Sequence, residues 1–404
     1  MEVITRYIRA NGRRQHQSSD PFTAEKDGSS LTTSSDRDQE IHKHGDLIRS
    51  DNVDDDDEGQ YLDGVQLYTL MAALSLSIFL MTLNASIIAT ALPFITTSFN
   101  KVTDIGWYSS SYLLATCSLG PLSGKLYTHY HLKYTFIVFL VIFELGSLIS
   151  ALAPSSTLFI VSRAIGGIGA SGLYNGAITI LTASVRRSRR PTLIGIASSF
   201  AGISQLAGPI VGGAITQNIN WRWCFWIDLP PGAVVVAVLL FMRFPAGPRK
   251  PFKTHTVLGI MDQLDFFGFF LFAGSIIMIL LASQWGGLVY DWKSAKIIGL
   301  MSGAINVGIL FVLWERHRGA DAMIPLSIFK NSIVAASCVT AFLQFGGILL
   351  ITIYLPLWFQ VVKQKSPFQS GVATLPTMIA QLLSAGSGGK LSTYSTPSVI
   401  PSRY

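Results

Sequence analysis

The sequence predicts an all-α polytopic membrane protein with about ten transmembrane helices. Half of its 404 residues are apolar, and only 13% are charged. A soluble domain carries about 25% charged residues, because polar groups must cover its surface. Apolar stretches of about 20 residues recur after Leu67, and each is long enough to cross a bilayer as a helix. This balance excludes a disordered chain, a collagen-like chain and a nucleic-acid-binding protein.

The N-terminal part differs in composition from the rest of the chain. Residues 1–66 hold 15 of the 23 acidic residues, include the acidic run 54–58 and show no apolar periodicity. Segments of this composition stay solvated because they cannot bury enough apolar surface to fold. We expect a disordered cytosolic tail without a cleavable signal peptide, since no short apolar segment follows Met1. A solvated extension is favoured over a regulatory segment.

Ten apolar stretches follow this tail, and the last of them is weak and rich in Gly and Ser. We place transmembrane helices at 67–95, 105–127, 133–153, 157–183, 193–217, 225–243, 264–284, 294–314, 333–360 and 369–386. Helices are required because backbone amides in lipid must find partners within their own segment. Loops on the side of the N-terminus carry 13 Lys and Arg residues and those on the opposite side carry 6, which predicts a cytosolic N-terminus.

Two ionisable residues stand out inside the spans, Glu144 in the third and Arg163 in the fourth. A charge at the bilayer centre costs about 2.5–3.5 kcal/mol on insertion scales, so such residues are functional candidates. The two spans are antiparallel neighbours, and the depths of the two residues differ by about 5 Å. We hypothesise a Glu144–Arg163 pair, direct or bridged by water. A purely structural ion pair is the alternative.

The fifth span is rich in small residues and contains a proline. Small residues let helices approach closely in lipid, where packing drives their association. A proline removes an amide donor and kinks a helix. The residues concerned are Gly195, Ser204, Gly208, Pro209, Gly212 and Gly213. Taken alone, the pattern favours a packed interface over a moving one.

No cofactor or metal site is indicated by the sequence. Cys117, Cys224 and Cys338 lie far apart, in or beside apolar stretches, which is typical of small apolar filling residues. The seven histidines fall in polar segments. We expect no cofactor, no metal and no enzymatic activity, because a membrane enzyme would show His or Asp clusters near one face. A channel would show a repeated filter or a ring-forming charge.

Several motifs carry a family resemblance. The small residues of the fifth span resemble the antiporter motif of the major facilitator superfamily, with Ser204 where Gly is usual. The pattern F-x3-R-x3-G-x-G-A at 159–170 resembles that superfamily's fourth-helix motif. The pattern L-N-A-S-I-I-x2-A-L-P-x-I at 83–95 is similar to the first-helix signature of the fourteen-helix drug/proton antiporter branch. Further motifs similar to that branch lie at 107–114, 221–232, 354–360 and 370–376.

The resemblance implies a major facilitator fold with a complete N-terminal half and a partial C-terminal half. It divides the chain into the tail 1–66, an N-terminal six-helix bundle 67–243, a cytosolic linker 244–263, two extra transmembrane helices 264–314, a partial C-terminal bundle 315–388 and a polar ending 389–404. That branch has fourteen helices where ten are found here, so we expect a C-terminally truncated chain, with a natural half-transporter that dimerises as the alternative.

The pattern is most similar to fungal exporters of toxins, drugs and secondary metabolites, which implies proton-coupled efflux of small amphipathic compounds. The fourth-helix Arg of the family is associated with proton coupling, which we carry onto Arg163, and we add Glu144 as the partner acid. Asn84, Asn175 and Gln205 are candidates for polar contacts with the substrate, with an interhelical hydrogen bond as the alternative for each. The alternative function is a non-transporting truncated remnant of such an exporter.

Position 84 departs from the family pattern, because Asn84 stands where the first helix usually has Asp. An amide can form hydrogen bonds but cannot carry a proton, which gives Glu144 more weight as the acid. The loop between the second and third spans departs as well, with Thr128 for Asp and His131 for Gly. We expect a multi-pass protein of the plasma membrane rather than the vacuole, whose partners are a small molecule, protons and lipid, with no nucleic acid. The sequence leaves the oligomeric state open.

Overall fold

The computed structural model describes residues 62, 64–186, 188–242, 256–287 and 289–364, and isolated residues between 369 and 383. Helices make up most of these ranges. They are α1 Gly64–Phe99, α2 Ile105–His129, α3 Leu132–Leu152, α4 Ser156–Ser184, α5 Arg190–Asn218, α6 Trp223–Trp226, α7 Leu229–Phe241, α8 Val257–Gln263, α9 Phe266–Trp285, α10 Ala295–Arg318 and α11 Ser332–Val361.

The first nine predicted spans each coincide with helical structure, with ends that agree within four residues. The sixth is built from two helices, α6 and α7, which follow one another through Trp223–Phe241. The tenth predicted span, 369–386, lies largely outside the described residues, as do the tail 1–66 and the ending 389–404. In the predicted linker 244–263, the described part forms α8.

Seven helical stretches in the described part are long and apolar enough to cross a membrane. Large apolar side chains also stay exposed on their outer faces, including Val138 and Leu145 on α3 and Ile298 and Ile305 on α10. Such surfaces suit lipid as the surrounding solvent, while the backbone amides are satisfied within each helix. The predicted all-α membrane architecture is confirmed.

Helix α4 lies between α2 and α3 at very short separation. A Cβ built on Gly169 would lie 2.6 Å from the Cα of Phe143 and 2.7 Å from the carbonyl oxygen of Phe139 in α3. A Cβ on Gly167 would lie 2.9 Å from the Cβ of Ala115 in α2. Glycine is required at these positions because only hydrogen fits between the backbones.

Helix α5 packs on α1 through glycines of the fifth-span motif. A Cβ on Gly208 would lie 3.1 Å from the amide nitrogen of Ile87, and one on Gly212 would lie 3.0 Å from the carbonyl oxygen of that residue. Gly213 has open space around it, so it faces away from this contact. Pro209 lies inside α5, and the helix continues through it.

Helices α9 and α10 form a pair that is attached to α2 at both ends. At one end Ser110 donates a 2.7 Å hydrogen bond to Oε1 of Gln284. At the other end Nζ of Lys125 donates to the carbonyl oxygen of Asp321 at 2.6 Å. Asp265, which directly precedes α9, is buried at this end. It accepts a 3.1 Å hydrogen bond from the amide of Gly268 in the first turn of α9. The extra helix pair is therefore held against the side of α2.

We expect Gly169→Ala to destabilise the protein by about 1–3 kcal/mol, the usual cost of overpacking, because the added methyl group meets backbone atoms of α3 that cannot move aside. The measurement is the melting temperature of the detergent-purified protein. Gly213→Ala is the matched control, and it should melt at or slightly above the wild-type temperature, since alanine favours helix and the methyl group finds open space. Equal melting of the two variants would contradict the close α3–α4 contact.

Candidate functional site

Arg163 is the buried charge around which the polar side chains of the helix bundle are arranged. Only 2% of this residue is exposed, and it lies two turns into α4. Its guanidinium donates one hydrogen bond to Oδ1 of Asn84 in α1, and its Nε donates another to the carbonyl oxygen of Tyr108 in α2 at 3.2 Å. The ring of Tyr112 stacks beneath it, 4.5 Å from the guanidinium carbon. One cation thus joins three helices.

Asn84 links this cation to a carboxylate. Its Nδ2 donates a 2.6 Å hydrogen bond to Oδ2 of Asp228 and a 3.1 Å hydrogen bond to the hydroxyl oxygen of Ser147 in α3. The amide oxygen therefore meets the cation and the amide nitrogen meets the anion, so that both ends of the amide dipole are matched. We call Arg163, Asn84 and Asp228 the Arg163 network.

Asp228 is the functional candidate that the sequence analysis missed. It is fully buried at the junction between α6 and α7, and its Oδ1 has no hydrogen-bond partner among the described residues. It lies near enough to Arg163 for the two charges to attract. The sequence does contain the signal, because Asp228 is an acidic residue inside the predicted span 225–243. The rule that makes Glu144 a candidate, an ionisable side chain inside a span, applies to Asp228 as well.

The predicted direct pair between Glu144 and Arg163 is wrong. Both carboxyl oxygens of Glu144 are buried and have no hydrogen-bond partner among the described residues. The carboxyl group lies instead against Gly232 of α7, where an added Cβ would come within 3.0 Å of Oε2. The donors of Arg163 are directed to Asn84 and Tyr108 in α1 and α2. The rise per residue gave the two residues similar depths, but it carries no information on the direction of each side chain.

The three polar candidates for substrate contact are only partly brought together. Gln205 lies in α5 close to the depth of Asn84, since its carbonyl oxygen accepts from the hydroxyl of Ser86 at 3.0 Å. Asn175 lies twelve residues beyond Arg163 in α4, roughly 18 Å along the axis. It is exposed, and it donates to the hydroxyl oxygen of Ser123 at 3.1 Å.

Two residues of the fifth-span motif, Gly208 and Gly212, form the α5 side of its contact with α1. Gly195, Ser204 and Pro209 belong to α5 together with the glycines described above. Ser204 is fully buried and returns its hydroxyl to the carbonyl oxygen of Ala201 at 3.0 Å. This side of α5 therefore offers α1 a surface of small groups whose hydrogen bonds are satisfied within the helix.

The sequence profile of the Major Facilitator Superfamily matches residues 74–400. The MFS-type transporter calB of Penicillium decumbens is 44% identical over 344 residues, which cover 84% of this chain and 61% of that protein. The efflux pump mlcE of Penicillium citrinum is 45% identical over 338 residues, which cover 81% of this chain and 61% of that protein. The chain spans about three fifths of the length of these relatives.

Among solved structures, the proton:xylose symporter XylE resembles this chain with a TM-score of 0.54 and 15% sequence identity. The match covers 82% of this chain and 69% of XylE. At this identity the likeness concerns the fold alone. It places the helical order found here within the architecture of a known membrane transporter.

We expect Arg163→Lys to lower the free energy of unfolding by about 1–3 kcal/mol, because a single ammonium group cannot reach both acceptors while it stacks on Tyr112. The loss should appear as a lower melting temperature in detergent. Arg316→Lys is the control, since Arg316 is an exposed residue in the last turn of α10 and its replacement should leave melting unchanged. Indistinguishable melting of the Arg163 variant and the control would contradict the network geometry.

Proposed function

Because this chain belongs to the major facilitator superfamily, we propose that it is a secondary active transporter that exports small amphipathic compounds in exchange for protons. The observation that carries this proposal is the Arg163 network, a set of buried ionisable groups inside a helix bundle of that family. Drugs, toxins and secondary metabolites are the expected substrates. Three of the similar proteins bear the name efflux pump, which supports export as the direction.

Proton coupling is proposed from the cost of burying ionisable groups. Each charge held at the bilayer centre costs about 2.5–3.5 kcal/mol on insertion scales, and acidic residues retained there mark proton pathways. We assign the coupling to Arg163 and Glu144. The carboxyl group of Glu144 is suited to bind and release a proton, because its two buried oxygens have no hydrogen-bond partner in the part of the chain that the structure describes.

The transport cycle is proposed to be alternating access between two helix bundles. In transporters of this architecture the substrate site lies near the bilayer midplane, and one bundle rocks against the other. We assign 67–243 to the N-terminal bundle, 244–263 to the linker, 264–314 to the extra pair and 315–388 to the C-terminal bundle. The glycine contact of α5 on α1 lies within the N-terminal bundle and keeps these two helices closely packed while that bundle moves as a unit.

The substrate and membrane assignments follow from the same proposal. Gln205 is the proposed polar contact for the substrate near the midplane, because it lies close to the depth of Asn84. Asn84 and Asn175 were proposed with it, and each forms the interhelical hydrogen bonds that were the alternative. The N-terminus is placed in the cytosol, and the membrane is the plasma membrane. Export then moves the compound away from the N-terminal side while protons enter towards it.

The test is uptake of the lipophilic dye rhodamine 6G by proteoliposomes with an imposed pH gradient. Wild-type protein should accumulate dye only while the gradient is present. Glu144→Gln should lower gradient-driven uptake by roughly 5- to 100-fold, the range of a typical coupling free energy, because the amide cannot release a proton. The remaining uptake should no longer change with pH.

Asp291→Asn serves as the control, because Asp291 is an exposed carboxylate outside the helices, and it should transport like wild type. Normal, pH-dependent uptake by Glu144→Gln would remove Glu144 from the coupling mechanism. If inserted wild-type protein shows no gradient-dependent uptake, the proposal fails.

A further inference from the structure

Beyond the pair assigned above, we propose that Asp228 and Glu144 form a two-carboxyl proton relay along the contact between α3 and α7, with Asn84 as the residue that positions Asp228. This inference rests on the proposed proton-driven transport. It adds a second acid to the coupling site and gives the direction in which the proton moves. The spacing, the hydrogen bonds and the charge balance of the two acids support it.

The spacing places the two carboxyl groups one helical turn apart. Ser147 of α3 donates to Oδ2 of Asp228 at 3.4 Å, and Glu144, three residues earlier in α3, lies against Gly232, four residues later than Asp228. The separation along the helices is therefore about 5 Å. Because Gly232 has no side chain, the carboxyl group of Glu144 can occupy the space beside α7.

The hydrogen bonds leave both acids able to bind a proton. Oδ2 of Asp228 is held by Asn84, but its Oδ1 has no partner among the described residues, and neither does either oxygen of Glu144. A structural carboxylate in a membrane interior would be expected to accept bonds at both oxygens, because each buried lone pair without a donor costs free energy. Three carboxyl oxygens in adjacent turns thus lack a partner among the described residues, which leaves a position for a proton on either acid.

The charges balance when one proton is bound. The ionisable groups that interact with Asp228 are Arg163 from α4, Tyr112 from α2 and Cys224 from α6, while Glu144 interacts with Asp228 itself. Tyr112 carries a neutral phenol and Cys224 a neutral thiol. Among the described residues, this connected cluster therefore holds two carboxyl groups and one guanidinium, and Asp228 lies between the other two. With both acids ionised the cluster has an excess negative charge in a low-dielectric interior, and one shared proton restores neutrality.

The relay moves one proton and needs no other reactant. Water on the side where α3 ends supplies a proton to Oδ1 of Asp228. The proton passes to Glu144, which lies nearer the start of α3, and Asp228 returns to its anionic form. Glu144 then releases the proton to water on the side of the N-terminus. When Asp228 is protonated, the anion that Asn84 holds opposite Arg163 is lost, so proton binding weakens the contact that joins α1, α4 and α7.

Gradient-driven rhodamine 6G uptake in proteoliposomes tests the relay through variants of both acids. Asp228→Asn should lower uptake at least roughly tenfold, and the double variant Asp228→Asn/Glu144→Gln should be no slower than either single variant, because members of one relay are not additive. The exchange variant Asn84→Asp/Asp228→Asn keeps one amide and one acid in the same bridge and should recover most of the lost uptake. Normal uptake by Asp228→Asn, or multiplicative losses in the double variant, would overturn the relay.

A second readout separates this relay from the transport proposal and from a loss of folding. In infrared difference spectra recorded between low and high pH, wild-type protein should show protonated-carboxyl bands from two buried acids. Asp228→Asn should remove one band and shift the other, whereas Asp291→Asn should change neither. Unchanged spectra of Asp228→Asn would overturn the relay even if dye uptake persists. If wild-type protein transports no dye, the spectra alone decide whether the two acids exchange protons.

Discussion

A guanidinium group cannot be held in the interior of a membrane protein unless the protein supplies both acceptors for its donors and an opposing charge. Arg163 imposes this requirement on the helix bundle. Its acceptors come from α1 and α2, its aromatic platform comes from α2, and its counter-charge comes from the α6–α7 junction through Asn84. The relative positions of these helices are therefore fixed by one side chain, since a shift of any of them would leave a buried charge unsatisfied.

The glycines next to Arg163 make this arrangement possible. A backbone carbonyl such as that of Tyr108 can accept from Arg163 only if α2 approaches α4 closely. Gly167, one turn beyond Arg163, permits that approach, and Gly169 permits the matching approach of α3. In lipid, association gains little from the hydrophobic effect and depends on packing and interhelical polar contacts. The small residues allow the close approach that the buried polar network needs, and both occur in the same turns of α4.

The sequence predicted the helices well because bilayer thickness and backbone hydrogen bonding set the length of an apolar span. The same reasoning selected Arg163 and Glu144, since charges inside a span are costly. It failed on their pairing, because hydropathy and rise give depth while the direction of a side chain is set by neighbouring helices. It also overlooked Asp228, and it could not foresee that α9 packs against α2, because contacts between spans that are distant in the chain leave no periodic signal in the sequence.

Positions 84 and 228 have to be understood together. An acid at both positions would place two carboxylates against each other beside one guanidinium, and an amide at both would leave the guanidinium without an anion. One amide and one acid satisfy the single cation, and the observed order directs the amide oxygen to Arg163 and the amide nitrogen to Asp228. The asparagine in α1 therefore does not leave the site without an acid, because its partner across a 2.6 Å hydrogen bond supplies the carboxyl group.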